Sequence, residues 1–197
     1  MPLISEQYRA QQKTLHDAGN YGTVAEHFAP MVAEVINKLE VTHLLDYGCG
    51  SNLSLPKALA KAGSVKHRFK YQAYDPCVEK YSAPPVPAEL VVCIDVLEHI
   101  EEDCIDSVLD HLQELTEAVG FFSVDTGPAM KSLPDGRNAH ILQRPVEWWL
   151  MRLCARFDLQ TFQMVWKSPK DFYHNKFFVI VNAMPGVIEG TDGARIQ

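Results

Sequence analysis

Four acids stand where apolar runs give out. Asp46 ends "HLLD" and leads into a turn through Gly48-Cys49-Gly50, with Ser51 and Asn52 after it. Asp75 ends "YQAYD", just before Pro76. Asp95 ends "LVVCID" and is followed by Val96-Leu97-Glu98-His99, and Asp125 ends "GFFSVD". A glycine turn lets backbone approach a ligand closely. The carboxylate of Asp46 beside that turn would repel an anion and favour a cation. Dinucleotide-binding turns carry a third glycine that packs the helix, in the pattern G-x-G-x-x-G. Leu53 occupies that place here, so both the charge and the spacing speak against a pyrophosphate.

The elements that must position these acids can be read from periodicity. The run 4–17 predicts a polar helix, broken by Gly19 and Gly22. In 27–40 the apolar residues Phe28, Met31, Val32, Val35, Ile36 and Leu39 fall on one helical face. Short apolar runs predict strands at 43–48, 70–76, 89–95 and 120–125. Helices are expected from Ser54, as cap, to Gly63 and from 101 to 119, where Glu101, Glu102 and Asp103 suit the positive helix end. A long loop, 126–144, leads to a helix opened by Pro145, and two strands follow with no helix between them. Alternation of strand and helix predicts an α/β fold with a mostly parallel sheet and an antiparallel C-terminal strand. Ligands on such sheets bind beyond the carboxyl ends of the strands, where all four acids emerge.

Composition narrows the class. The chain has 197 residues, 47% of them apolar, enough for one compact domain. We read 1–22 as an N-terminal helical lid, 23–185 as the main domain and 186–197 as a disordered tail. The formal charge of −7 argues against nucleic acid as a partner, because such binding rests on clustered cations. Five cysteines without C-x-x-C spacing point to reduced thiols and a cytoplasmic setting. The eight histidines show no ligand spacing, so no metal site is expected. No apolar run approaches the ~20 residues of a membrane span.

The cation reading leads to S-adenosylmethionine, which carries a sulfonium and an ammonium. D-x-G-x-G, an acid ending the second strand, and "DVLEH" after the next strand together resemble the class I S-adenosylmethionine-dependent methyltransferases. The stretches "DVLEHI" and "LPDGRNAHILQRPVEWW" are similar to little-characterised bacterial and phage members. The resemblance covers about residues 20–185 and implies a Rossmann-like sheet. It implies that Asp46, Gly48, Cys49, Gly50, Ser51 and Asn52 hold the methionine end of the cofactor. It implies that Asp75, followed by Pro76, takes the ribose hydroxyls, and that Asp95, Val96 and Leu97 line the cofactor near the methyl group. The sequence departs from the pattern after Pro76. "CVEKYSAPPVPA" is too short for a helix plus a third strand, and Pro84, Pro85 and Pro87 disfavour both. That strand is expected to be reduced or missing, and Cys77 to Tyr81 to take over its contacts with adenine.

Methyl transfer to a hydroxyl also needs a base. Histidine titrates near neutrality and suits that role. His140, which sits where similar enzymes place a substrate-facing histidine, and His99 are the candidates, with Asp125 as the alternative. Tyr21, Lys131, Arg137, Asn138 and Arg144 are candidate substrate contacts. The acceptor class is an O or N nucleophile on a small molecule or glycan. A competing reading is a non-catalytic binder of S-adenosylmethionine or a nucleotide, acting as partner subunit or sensor. An exposed sheet edge at the missing strand would suit a homodimer.

Overall fold

The computed structural model describes residues 2–17, 25–165 and 176–183. Tyr21 and the expected tail lie outside the described residues. Six strands form one sheet in the order β2-β1-β3-β4-β6-β5. They are β1 (His43–Tyr47), β2 (Lys70–Tyr74), β3 (Ala88–Ile94), β4 (Thr116–Asp125), β5 (Phe157–Val165) and β6 (Lys176–Ala183). Strands β2, β1, β3 and β4 run parallel, while β6 is antiparallel to both β4 and β5. Helices are α1 (Glu6–Asp17), α2 (Ala25–Lys38), α3 (Ser54–Ala62), α4 (Ile105–Leu115) and α5 (Val146–Cys154).

The inner strands β1, β3 and β4 are buried on both faces, and alternation sends neighbours to opposite sides. Leu44, Leu90, Val92 and Phe121 meet Phe28, Val32 and Ile36 of α2 and Leu55 and Leu59 of α3. Leu45, Val91, Cys93 and Phe122 meet the inner faces of α4 and α5, with Trp149 fully buried. Phe121 and Phe178 stack at 5.2 Å, and Phe28 meets Phe121 edge-on at 5.7 Å.

The third strand is absent. Between β2 and β3 there is only a short 3-10 turn, Glu79–Tyr81, and β2 is left as an edge. The amide of Asp75 donates to the Tyr81 carbonyl at 3.0 Å, which folds this segment back on the strand end.

Two boundaries differ from expectation. The expected helix over 101–119 begins at Ile105 and ends at Leu115. Thr116, whose Oγ1 donates to the Leu112 carbonyl at 2.7 Å, turns extended and pairs with Ala88. Residues 116–119 therefore belong to a ten-residue β4. Ser54 is not a cap. The N-cap is Leu53, in the left-handed region at φ 46°, and Ser54 is buried in the first turn.

Candidate functional site

The β1–α3 turn is tied to the end of β2. Gly48 and Cys49 both donate backbone N–H bonds to the Tyr74 carbonyl, at 2.7 and 3.1 Å. The amide of Gly50 donates to Asp75 Oδ2 at 3.0 Å, and that of Cys77 to Oδ1 at 2.8 Å. Asp75 thus joins both loops through one carboxylate. Gly48 (φ 78°) and Gly50 (φ 62°) lie in the left-handed region, and a Cβ on Gly48 would overlap the Val96 side chain. At Gly50 the nearest atom to a Cβ would be His16 Cε1, 3.7 Å away.

Asp46 is buried and accepts a hydrogen bond from the Tyr71 hydroxyl at 2.6 Å. Burial pushes its carboxyl up to about 7, the Tyr71 bond pulls the other way, and the neighbouring Asp75 adds to the rise. It has no ion pair among the described residues.

A second polar cluster forms where β3 and β4 end and β6 begins. Asp95, at φ 52°, is held from β4: its amide donates to Ser123 Oγ at 3.0 Å, and that hydroxyl donates to Asp95 Oδ1 at 2.7 Å. Lys176 lies opposite Asp125 in the antiparallel register, pairs with Asp95, and sits 3.6 Å from Asp125. Burial alone would lower its pKa, but Asp95, then Asp125 and Glu98, hold the ammonium above the ordinary lysine value. Glu98 is fully buried. Its Oε1 accepts from the Asp125 amide at 2.9 Å, whereas Oε2 has no hydrogen-bond partner among the described residues. Burial, reinforced by Asp95, holds this carboxyl well above the usual range.

His99 and His140 meet edge-on, with ring centroids 4.7 Å apart. His99 Nδ1 bonds the Ala139 carbonyl at 2.7 Å, and His140 Nδ1 bonds the Gly127 carbonyl at 2.6 Å. A carbonyl oxygen only accepts, so each Nδ1 carries a proton and the neutral ring keeps its lone pair on Nε2. Burial, then the neighbouring His140, lowers His99 to about 4.

Both clusters open into one cavity of about 740 Å³. Its roof is α1, which contributes Tyr8, Gln12 and His16. Glu101 anchors the start of this helix by accepting from the Ser5 amide and hydroxyl, both at 2.8 Å. His16 Nε2 lies 3.8 Å from Asp75 Oδ2.

Asp46, Gly48, Cys49, Gly50, Asp75, Pro76, Asp95, Val96, His99, Asp125, Lys131 and His140 all line this cavity. Other sequence candidates do not. Ser51 borders a neighbouring surface depression, the Asn52 carbonyl accepts from Lys57, and Leu97 is buried in the core. Arg137 and Arg144 pair with Asp135 and Glu102 at the surface. Asn138 clamps its own loop, bonding both the amide and the carbonyl of Ala129. Sequence reasoning missed Tyr71, Ser123 and Lys176. A lysine opening the otherwise apolar "KFFVIV" was the available signal for the last of these.

No family model matches the chain, and no curated protein matches it. Solved structures do. The Burkholderia thailandensis 1,6-didemethyltoxoflavin-N1-methyltransferase, with bound 1,6-didemethyltoxoflavin and S-adenosylhomocysteine, is 16% identical at a TM-score of 0.62, over 94% of this chain and 93% of that one. The methyltransferase domain of bacterial CtHen1-CN is 14% identical at 0.58, over 82% of this chain and 100% of that one. The magnesium protoporphyrin IX methyltransferase of Synechocystis PCC 6803 with bound SAH is 17% identical at 0.51, over 81% and 83%.

Proposed function

We propose that this protein, whose chain has the Rossmann-like fold of S-adenosylmethionine-dependent methyltransferases, binds that cofactor and transfers its methyl group. The observation that carries the reading is the buried Asp46 carboxyl beside a Gly48–Gly50 cradle, within one cavity that also holds His99 and His140. The residues fit the cofactor. The cradle leaves room over Gly50, Asp46 favours positive charge, and Asp75 has acceptor capacity left on both oxygens beyond its two amide bonds.

When bound, S-adenosylmethionine supplies an activated methyl group on its sulfonium. The chain then has to align, desolvate and deprotonate. Alignment and exclusion of water are worth ~7–11 kcal/mol when geometry is good. The 48–50 turn, Asp75 and Pro76 hold one end of the cavity, and Asp95 and Val96 line its middle. The roof over both is α1, which serves as the lid. The acceptor, a small molecule or glycan with an O or N nucleophile, enters beside His99, His140, Asp125 and Lys131. Nε2 of His140 takes the acceptor's proton, while Nδ1 keeps its own, donated to the Gly127 carbonyl. His140→Ala should cut turnover to S-adenosylhomocysteine by about 10²–10⁴-fold and leave cofactor affinity nearly unchanged. Equal turnover in that variant would remove His140 from the chemistry.

The missing third strand favours one other reading, a binder that senses the cofactor without chemistry. Absence of S-adenosylhomocysteine formation across hydroxyl and amine acceptors, with tight cofactor binding retained, would select it.

A further inference from the structure

We infer that Glu98, His99 and His140 form a divalent-cation site at the acceptor end of the cavity. One carboxylate oxygen of Glu98 and one ring nitrogen from each histidine lie within 4.8 Å of one another. Histidine spacing in the sequence gave no hint of this. Glu98 and His99 share the short turn Leu97–His99 after β3, and the long loop after β4 returns His140 to them.

Three independent features favour a cation here. Both rings are oriented through Nδ1 by backbone carbonyls, Ala139 and Gly127, so the nitrogen each would offer a cation is Nε2. That arrangement fixes the tautomer of metal-ligating histidines in general. Glu98 is fully buried and its Oε2 finds no hydrogen-bond partner among the described residues, a costly arrangement unless something else occupies that oxygen. The surroundings are acidic as well: Asp95 and Asp125 lie close to Glu98, with Lys176 paired to Asp95 and 3.6 Å from Asp125.

Two imidazoles and one carboxylate suit a first-row divalent ion such as Mn²⁺, Fe²⁺ or Zn²⁺ better than Ca²⁺. Three protein ligands leave coordination positions open. His99, His140, Asp95 and Asp125 line the cavity, so those positions face the acceptor. This deepens the methyl-transfer reading and rests on it only for the ion's use. It selects an oxygen nucleophile. A hydroxyl bound to the cation releases its proton to solvent, and the oxygen then forms the O–CH₃ bond as the S–CH₃ bond breaks. The products are the methyl ether and S-adenosylhomocysteine. With the ion bound, Nε2 of His140 is a ligand, and the cation replaces it as the activating group.

The test is titration of chelator-treated protein with Mn²⁺ alone, followed by the electron paramagnetic resonance of free Mn²⁺, with Mg²⁺ and Zn²⁺ as competitors. One equivalent should bind to the wild type, and Glu98→Gln and His140→Gln should each weaken it at least tenfold. Pulsed resonance on the wild-type complex should show imidazole nitrogen coupling, a readout that needs no variant to fold. No stoichiometric binding of any of the three ions, no nitrogen coupling, or unchanged affinity in both variants would overturn the site. S-adenosylhomocysteine binding is measured separately without metal. Its loss in the wild type would sink the methyl-transfer reading and leave the cation site standing.

Discussion

Asp46 is a carboxyl group held almost out of water, bonded to Tyr71 and near a second acid, Asp75. Its carboxyl, pushed up to about 7, stands well above the ordinary aspartate value. A raised pKa means that the fold favours the protonated form. The stability this group contributes is fully present at low pH and is lost as pH climbs from about 4 through about 7. Asp46→Asn should therefore flatten the decline in stability of the unliganded protein across that window, followed by thermal unfolding at pH 5 and pH 8. A cationic ligand has the opposite preference, since it selects the ionised carboxylate. Binding of S-adenosylmethionine at pH 6.5 should release a proton, measurable by calorimetry in buffers of different ionisation heat, and Asp46→Asn should release none. Equal proton release from both proteins would detach Asp46 from the ligand's charge. At this scale much of the site was legible, because each strand-end acid directly follows its apolar run and the glycine turn closely follows Asp46. Lys176 and the unpartnered oxygen of Glu98 were not, since both depend on partners far along the chain that only strand register brings together.

Among the elements, α1 has the weakest sequence signal and an important place. Its mean composition is polar, yet Tyr8 and Gln12 are buried against the cavity. Its start is pinned by Ser5 on Glu101, a residue expected to open α4. Instead the 101–104 segment makes a turn, and the Glu101 carboxylate is spent on the roof. Bonds to a charged acceptor are the stronger kind. Glu101→Ala should weaken cofactor affinity about tenfold, equivalent to ~1.4 kcal/mol, through a loosened roof. Unchanged affinity by calorimetry would show that α1 plays no part in binding. The helix-to-strand boundary at Leu115–Thr116 was not legible, because "TEAV" has no breaker and pairing with Ala88 decides its state.

For the molecule as a whole, the mostly parallel sheet with its antiparallel C-terminal strand and the lost strand were both readable. Apolar runs at regular spacing gave the strands, and a short proline-rich segment left no room for another. The consequence is a bare β2 edge among the described residues. It is five residues long, with Lys70 exposed at its start. We propose that a second copy covers it. Sedimentation should show a dimer that Ala73→Pro converts to monomer; a wild-type monomer at tens of micromolar would reject this. The central claim concerns the cavity that the sheet builds at its carboxyl end. Calorimetric titration of wild type and Asp75→Ala with S-adenosylmethionine, S-adenosylhomocysteine and NAD tests it most directly. Both sulfur ligands should bind in the micromolar range and NAD should not, with a loss of at least tenfold in Asp75→Ala. Absence of sulfur-ligand binding to the wild type, or NAD bound as tightly, would contradict it.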